Sequence, residues 1–320
     1  MMKIAFVFSG QGSQYIGMGK ELYENIPTCR EIFNRGNEVL NFDIKDLIFN
    51  GDKEELDITE NTQPAILLTS IAAKEALEER GVKADIVSGL SLGEYSALVA
   101  SKAIGFEEAL ALVKKRGMFM QEAVPLGVGS MAAIIGLSKE KIKEILIKAG
   151  EKGIVEIANY NTNSQIVIGG EKEAIDIAKE LCLEAGARRV IELKVSGPFH
   201  TSLLEEASIK LAKELENVEF NSPKIKIISN VSADFIDNKA EIRSLLFNQI
   251  KSSVRWSEGI EKMLDMGIDT FIEIGPGKVL SSFAKEISRE KGVKVNIYNV
   301  EDMKSLEKTL EGIGKLNDSK

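Results

Sequence analysis

The sequence has little histidine and cysteine, and it lacks a long apolar run. Its 320 residues include one histidine and two cysteines, Cys29 and Cys182, which lie far apart within helical patterns. Two such cysteines do not make a disulfide framework, so they favour a reducing compartment. No stretch approaches the roughly 18 uninterrupted apolar residues of a membrane span, and the short apolar segment at the amino terminus is not typical of a signal peptide. These absences predict a cytoplasmic protein without a membrane partner.

The charge balance excludes another class of partner. Asp and Glu number 49 against 41 Lys and Arg, which gives a formal net charge of -8. Nucleic-acid binding requires a basic face that neutralises phosphates, so we expect no nucleic-acid partner. Apolar residues make up 44% of the chain and charged residues 28%, as in an ordinary globular protein. The length allows a large α/β domain together with a smaller one.

Strands and helices alternate along most of the chain, which is typical of an α/β fold with a parallel sheet. We predict buried strands over residues 4–8, 85–88 and 225–229, and a long apolar helix over residues 64–79. Such a sheet forms its binding site beyond the carboxyl ends of its strands. The loops that follow the predicted strands are therefore the places to look for functional residues.

A loop rich in glycine and glutamine, Ser9-Gly10-Gln11-Gly12-Ser13-Gln14, follows the first predicted strand. It is not a dinucleotide fingerprint, because Tyr15 stands where the third glycine is required. The side-chain amide of Gln11 could lie over the crevice of the sheet, or it could be a solvated loop amide. The sequence of this loop favours neither position of the Gln11 amide over the other.

The segment Gly89-Leu90-Ser91-Leu92-Gly93 follows the second predicted strand and leads into a helical pattern. A serine at the apex of a strand-to-helix turn, with glycine two positions away on each side, is the arrangement of the nucleophile elbow of α/β hydrolases. Ser91 and Glu94 also spell a capping box, in which the serine only caps a helix. Because a capping box does not require the two glycines, the sequence favours Ser91 as a nucleophile.

Residues 126–197 have a pattern of their own, which begins after Pro125 and the glycines that follow it. Strand, helix, strand, strand, helix and strand are predicted in turn, and the last strand covers residues 189–195. This βαββαβ order is that of a ferredoxin-like domain. We therefore predict a large α/β-hydrolase-like domain with a parallel sheet over residues 1–125 and 198–320, and a small ferredoxin-like domain inserted at 126–197.

The one histidine, His200, follows Gly197-Pro198-Phe199 at the point where the inserted domain rejoins the large one. A single histidine is often structural, but clefts form at domain junctions. A neutral imidazole there could take the proton of Ser91 and later return it to a leaving group. No acidic residue presents itself as a third member. An amide or a main-chain carbonyl could equally orient the imidazole.

Seven short segments occur together in one order. They are Gly10-Gln11-Gly12-Ser13-Gln14, Thr62-Gln63-Pro64-Ala65, Gly89-Leu90-Ser91-Leu92-Gly93-Glu94-Tyr95, Arg116-Gly117 with Met120-Gln121-Glu122-Ala123, Asn159-Tyr160-Asn161, Pro198-Phe199-His200 and Gly275-Pro276-Gly277-Lys278. In these segments the chain resembles the malonyl-CoA:acyl carrier protein transacylases of fatty-acid synthesis, and also the acyltransferase domains of polyketide synthases. The resemblance covers essentially the whole chain. It implies an acyltransferase that passes malonyl from malonyl-CoA, through a malonyl-serine, to the phosphopantetheine thiol of acyl carrier protein.

The resemblance also implies roles for particular residues. Ser91 would attack the thioester and His200 would act as general base. The backbone N–H groups of Gln11 and Leu92 would hold the oxyanion, and the main-chain carbonyl of Gln249 would orient His200 in place of an acid. The implied partners are malonyl-CoA and acyl carrier protein, with a monomeric enzyme that needs no cofactor and no metal.

Arg116 is implied to bind the free carboxylate of the malonyl group. Its planar fork can make two parallel hydrogen bonds, which lysine cannot imitate. The alternative is that Arg116, together with Lys114 and Lys115, belongs to a solvated helix face. The resemblance adds three further substrate-binding residues, Gln63, Met120 and Asn161.

Phe199 matches a position at which malonyl-selective polyketide acyltransferases often carry phenylalanine. Its ring would crowd an α-methyl branch, although simple packing is the alternative explanation. Two positions depart from the family. Leu90 stands where the elbow usually has histidine, and Thr162-Asn163-Ser164 replaces a Ser/Cys-Pro-Gly turn, so packing there is expected to differ.

Acyl carrier proteins are strongly acidic, and so is this chain. Docking therefore requires a local cationic patch that overcomes the net repulsion. By analogy with the family, the predicted patch comprises Arg188, Arg189, Lys194 and Lys285. Two other functions share some of these features. A serine hydrolase would use Ser91 and His200 without Arg116, and a non-catalytic carrier-protein binder would use Ser91 only as a helix cap.

Overall fold

The computed structural model describes residues 2–125, 127–193, 195 and 197–318. Within these ranges the strands are β1 (Ile4–Phe8), β2 (Ile86–Gly89), β3 (Gly129–Ile135), β4 (Val155–Tyr160), β5 (Gln165–Glu171), β6 (Arg189–Glu192), β7 (Lys226–Ile227), β8 (Thr270–Ile274) and β9 (Asn296–Val300). The helices are α1 (Lys20–Asn25), α2 (Pro27–Leu40), α3 (Ile44–Asn50), α4 (Lys53–Leu56), α5 (Thr59–Glu78), α6 (Gly93–Ala100), α7 (Phe106–Ala123), α8 (Lys139–Ala149), α9 (Lys172–Glu184), α10 (Glu205–Glu216), α11 (Lys239–Gln249), α12 (Trp256–Asp265), α13 (Val279–Glu290) and α14 (Met303–Asp318). No helix in these ranges is long and apolar enough to cross a membrane.

The larger sheet is parallel, with the strand order β7-β2-β1-β8-β9. Side chains of β1 alternate between two apolar cores: Phe6 and Phe8 belong to one, and Ala5 and Val7 to the other. The central strand is therefore buried on both faces, as a parallel sheet covered by helices requires. Because all strands run in one direction, the segments after β1, β2 and β7 meet at one edge, where α/β sheets place their sites.

The smaller sheet is antiparallel, with the strand order β4-β5-β3-β6. Ile134 and Ile168 pack with helices α8 and α9 on one face, while Met131 and Val167 join the core of the larger layer on the other. The order of elements and the pairing are those of a ferredoxin-like sheet. The predicted fold class is confirmed: a large α/β part with a parallel sheet and a small ferredoxin-like part. The division at residues 126 and 197 stays a prediction.

Three of the boundaries predicted above are wrong by two residues or more. The helix predicted from residue 64 begins at Thr59 and contains Pro64. Proline removes one helical hydrogen bond, but packing outweighs this loss because the segment is buried against α7. A Cβ on Gly117 would lie 2.5 Å from the Thr59 carbonyl oxygen.

The other two errors concern strand lengths. Strand β6 ends at residue 192 rather than 195, and β7 covers two residues rather than residues 225–229. Strand β7 is short because the chain turns back immediately: the Ser229 N–H donates to the Asp234 carbonyl at 2.9 Å, and Ile228 pairs with Phe235. Pairing of β6 with β3 extends only to Glu192, opposite Ala132.

Candidate active site

Ser91 occupies the tight turn between β2 and α6. Its φ of 53° is left-handed, a conformation that costs a residue with a side chain about 1–3 kcal/mol. A Cβ on Gly89 would lie 2.0 Å from the backbone of Gly93, and a Cβ on Gly93 would lie 2.2 Å from the carbonyl oxygen of Phe8. Neither position can carry a side chain. The two glycines therefore permit the close approach that forms the elbow.

Ser91 is not part of a capping box, so that alternative is wrong. The N-cap residue of α6 is Leu92, which makes no side-chain capping bond. The Glu94 carboxylate accepts hydrogen bonds from the backbone of Asn230 and the side chain of Gln249 instead of from Ser91. The Ser91 hydroxyl, freed from any capping role, bonds to His200.

His200 lies within hydrogen-bond distance of the nucleophile. The Ser91 Oγ is 2.7 Å from Nε2, and Nδ1 is 2.8 Å from the main-chain oxygen of Gln249. Because a carbonyl oxygen only accepts, Nδ1 donates to it and Nε2 of the neutral imidazole accepts from Ser91. Burial, reinforced by the positive charge of Arg116, lowers the pKa of His200 to about 4. The imidazole is therefore neutral near pH 7, as a general base must be.

Arg116 is fully buried at the floor of the site rather than on a solvated helix face. Its Nη1 donates to Gln63 Oε1 at 2.8 Å, and its Nη2 donates to Gln249 Oε1 at 3.0 Å and to Ser91 Oγ at 3.2 Å. Burial lowers its pKa from the usual value for arginine, yet a guanidinium remains protonated. Within the described residues no carboxylate forms an ion pair with it, so the site holds a buried cation that an anionic group can neutralise.

A cavity of about 420 Å³ opens above Ser91. Its polar residues include Gln11, Asn161 and His200, and the Asn161 Oδ1 is buried without a hydrogen-bond partner among the described residues. Most other lining residues are apolar: Leu90, Met120, Met131, Ala133, Val167, Leu193, Val195, Phe199, Val279, Leu280 and Phe283. The predicted residues Met120, Asn161 and Phe199 thus lie around Ser91, while Gln63 lies behind it on Arg116.

The two predicted oxyanion donors lie on loops that contact each other. A Cβ on Gly10 would be 2.5 Å from the Leu90 carbonyl oxygen, so the loop after β1 rests on the elbow. Within the described residues, the backbone N–H groups of Gln11 and Leu92 make no hydrogen bond to another protein group. The Gln11 side-chain amide does not extend freely over the crevice, because it donates to Thr59 Oγ1 at 3.1 Å.

Sequence reasoning missed Asn230 and the side chains of Glu94 and Gln249. The Asn230 Oδ1 accepts from the Ser91 N–H at 2.6 Å, and the Gln249 Nε2 donates to the Ser91 carbonyl oxygen at 2.9 Å. Asn230 follows β7, so its position at the carboxyl end of a strand was an available signal. Glu94 was considered only as a capping residue, and Gln249 only for its main-chain carbonyl.

Three of the predicted docking residues lie on or next to two elements that border the cavity. Arg188 and Arg189 are exposed at the start of β6, and Lys285 is exposed on α13. The segment after β6 contributes Leu193 to the cavity, and α13 contributes Phe283. Lys194 lies outside the described residues.

The two departures from the family also have structural counterparts. Leu90 packs against the apolar core that contains Ala5 and Val7 of β1, and it lines the cavity. In the β4–β5 turn, Thr162 Oγ1 donates to Glu286 of α13 at 2.7 Å, and Asn163 Nδ2 donates to Glu290 at 2.9 Å. The turn is therefore held by α13 instead of by a proline-glycine pair.

Comparison with known proteins points to one family. The sequence model of the acyl transferase domain matches residues 5–309. The chain is 47% identical to the malonyl CoA-acyl carrier protein transacylase of Bacillus subtilis over the full length of both proteins. The crystal structure of a protein of that name from Clostridium perfringens superposes with a TM-score of 0.94, at 48% identity and 98% coverage of each chain. A malonyl-transacylase in complex with its type II polyketide acyl-carrier protein gives a TM-score of 0.93, at 40% identity, and the alignment covers 97% of this chain and 99% of the other.

Proposed function

Because this chain belongs to the malonyl-CoA–acyl carrier protein transacylase family, we propose that Ser91 carries the malonyl group between malonyl-CoA and acyl carrier protein. The enzyme is an acyltransferase that transfers malonyl from malonyl-CoA to acyl carrier protein for fatty-acid synthesis. One observation carries the assignment of the nucleophile. The Ser91 hydroxyl lies 2.7 Å from a neutral imidazole and 3.2 Å from a buried guanidinium.

Acylation begins when Ser91 Oγ attacks the thioester carbonyl carbon and His200 Nε2 accepts the serine proton. The negative charge that forms on the carbonyl oxygen is held by the N–H groups of Gln11 and Leu92. When the C–S bond breaks, His200 returns the proton to the sulfur of CoA. The Gln249 carbonyl keeps the imidazole in the required tautomer throughout.

The malonyl carboxylate binds to Arg116. In the free enzyme one N–H of Nη1 is bonded to Gln63, while Nη2 donates to Gln249 and Ser91. The acyl group displaces the contact with Ser91, which leaves one N–H on each terminal nitrogen for the two carboxylate oxygens. The acid is thereby recognised and its thioester is oriented toward Ser91.

In the second half-reaction, His200 removes the proton of the phosphopantetheine thiol. The thiolate attacks the malonyl-serine ester, and the released serine oxygen takes the proton back from His200. Arg188, Arg189, Lys194 and Lys285 attract the acidic carrier to the cavity mouth. The proposal retains a monomeric enzyme that acts in the cytoplasm without a cofactor or metal.

Intact-mass spectrometry after mixing with malonyl-CoA tests this proposal. We expect a malonyl adduct on the wild type, no adduct on Ser91→Ala, and a weaker adduct on Arg116→Ala. Ser96→Ala is the matched control, because this buried serine hydroxyl on α6 has no hydrogen-bond partner among the described residues. It should form the adduct as the wild type does.

Two outcomes would contradict the proposal. Release of free malonate without a lasting adduct, in the absence of a thiol, would indicate a serine hydrolase. Absence of any reaction would leave Ser91 without a catalytic role.

A further inference from the structure

Glu94 is a carboxylate buried directly beneath the nucleophile. Its side chain has no solvent exposure, and the positive charge of Arg116 acts on it without a direct ion pair among the described residues. One oxygen accepts from the backbone N–H of Asn230 at 3.3 Å, and the other accepts from the Gln249 side-chain amide at 2.6 Å. Burial raises the pKa of Glu94 to about 7. A buried acid is costly unless it is hydrogen-bonded, so Glu94 and the groups that donate to it, among them Gln249 and Asn230, hold one another in place.

The side-chain amide of Gln249 has one possible orientation. Its Nε2 donates both to Glu94 and to the Ser91 carbonyl oxygen, and its Oε1 accepts from Arg116. A carboxylate only accepts and a guanidinium only donates, so flipping the amide would place donor against donor and acceptor against acceptor. Glu94 and Arg116 together therefore direct the amide nitrogen at the Ser91 carbonyl.

That carbonyl belongs to the same peptide group as the N–H of Leu92. In a planar trans peptide the C=O and the N–H point in opposite directions. The bond from Gln249 to the carbonyl, together with a 3.1 Å bond from the backbone N–H of Glu94, therefore fixes the direction of the Leu92 N–H, away from Gln249. A hydrogen bond at the oxygen also polarises the amide and makes its N–H a better donor.

Glu94 also holds the peptide on the other side of the nucleophile. The Asn230 Oδ1 accepts from the Ser91 N–H at 2.6 Å, and its Nδ2 donates to the Gly89 carbonyl at 2.8 Å. The backbone of Asn230 is itself bonded to Glu94. One carboxylate thus connects the two amides that hold the left-handed Ser91 between them.

We propose that Glu94 is a positioning residue for the oxyanion site: through Gln249 it fixes the Ser91–Leu92 peptide so that the Leu92 N–H meets the oxyanion. This inference rests on the proposed function, in which that N–H binds the thioester oxygen. Glu94 acts through Gln249, from which it is separated by a single hydrogen bond. The interaction becomes important when charge develops on the carbonyl oxygen, so its loss lowers the rate rather than substrate binding.

The test is single-turnover acylation by malonyl-CoA, followed by quenching and intact-mass spectrometry. Glu94→Gln keeps the shape of the side chain but replaces one acceptor by a donor. We expect the acylation rate at saturating malonyl-CoA to fall about 10- to 100-fold, with the half-saturating concentration unchanged within about twofold. Glu78→Gln is the control. It removes a carboxylate that pairs with the buried Lys74 at 2.7 Å on α5, and its acylation rate should remain within about twofold of wild type.

A second variant tests the route through Gln249. Gln249→Leu removes the side-chain amide but keeps the main-chain carbonyl that orients His200. We expect a similar fall in rate, and we expect Glu94→Gln to slow this variant by no more than about a further twofold, because both changes break one connection.

Three results would overturn the inference. Glu94→Gln could acylate at the wild-type rate, or it could raise only the half-saturating concentration of malonyl-CoA. In the double variant, the rate losses of the two single variants could multiply. If circular dichroism shows that Glu94→Gln does not fold, Gln249→Leu decides alone, and a wild-type acylation rate in it refutes the route. Failure of the proposed function is a separate result, because the wild type would then form no malonyl adduct in the same assay.

Discussion

Arg116 should decide that the enzyme takes a malonyl group rather than an acyl group without a carboxylate. The guanidinium is fully buried and contacts the nucleophile, and Gln63 and Gln249 hold its two terminal nitrogens. Arg116→Lys keeps a positive charge at the site but removes the planar fork. One ammonium group cannot reproduce the separate bonds of Nη1 and Nη2 and also bind a carboxylate through two parallel bonds.

The size of the effect follows from the hydrogen bonds at stake. Each hydrogen bond to a charged group contributes about 1.5–3 kcal/mol, so the two bonds to a carboxylate contribute about 3–6 kcal/mol. Loss of both in Arg116→Ala should lower kcat/KM for malonyl-CoA by about 10²- to 10⁴-fold. Loss of one in Arg116→Lys should lower it by about 10- to 100-fold.

The assay compares kcat/KM for malonyl-CoA with that for acetyl-CoA, which lacks the carboxylate. Both substrates meet the same Ser91, His200 and Gln249. A loss common to the two therefore measures damage to the catalytic network, and only the excess loss for malonyl-CoA measures the carboxylate contact. Equal losses for the two substrates in both variants would refute this assignment of Arg116.

Three further predictions follow from the site and the cavity mouth. Because burial and the charge of Arg116 lower the pKa of His200 to about 4, the imidazole stays neutral below its ordinary range. In Glu94→Gln, which removes the carboxyl group whose pKa is about 7, kcat/KM should therefore decline only as the pH approaches about 4, and an inflection near pH 6.5 in that variant would contradict this. Phe199→Ala should raise the kcat/KM ratio of methylmalonyl-CoA to malonyl-CoA by about tenfold, since one methyl group is worth about 1–3 kcal/mol, and an unchanged ratio would indicate a packing role alone. Charge reversal at Arg188 and Arg189 should raise the KM for acyl carrier protein by about tenfold at low salt and much less at high salt, while serine acylation by malonyl-CoA stays unchanged. The same reversal at the exposed Lys148 of α8 is the control and should not change this KM. Unaltered kinetics with the carrier protein would exclude the patch.

The elbow at Ser91 could be predicted from the sequence because its backbone requirements are local. Glycine is needed at residues 89 and 93 because no Cβ fits there, and this need is visible in the spacing Gly-x-Ser-x-Gly. The apolar run at residues 4–8 likewise predicted strand β1 with its observed bounds. Where the prediction was wrong, as for the helix around Pro64, tertiary packing outweighed the local preference of proline.

The sequence by itself thus determined the fold class, the strand-turn-helix at Ser91 and the single candidate for the base. Only the tertiary structure decided which groups touch. Ser91 and His200 are 109 residues apart, and Ser91 and Gln249 are 158 apart, so their contacts depend on the order of the parallel strands. The hydrogen bonds that Glu94 and Asn230 make around Ser91 could not be predicted for the same reason. A hydrogen bond between distant residues requires a particular packing of the whole chain, and the spacing of residues within a short segment does not predict that packing.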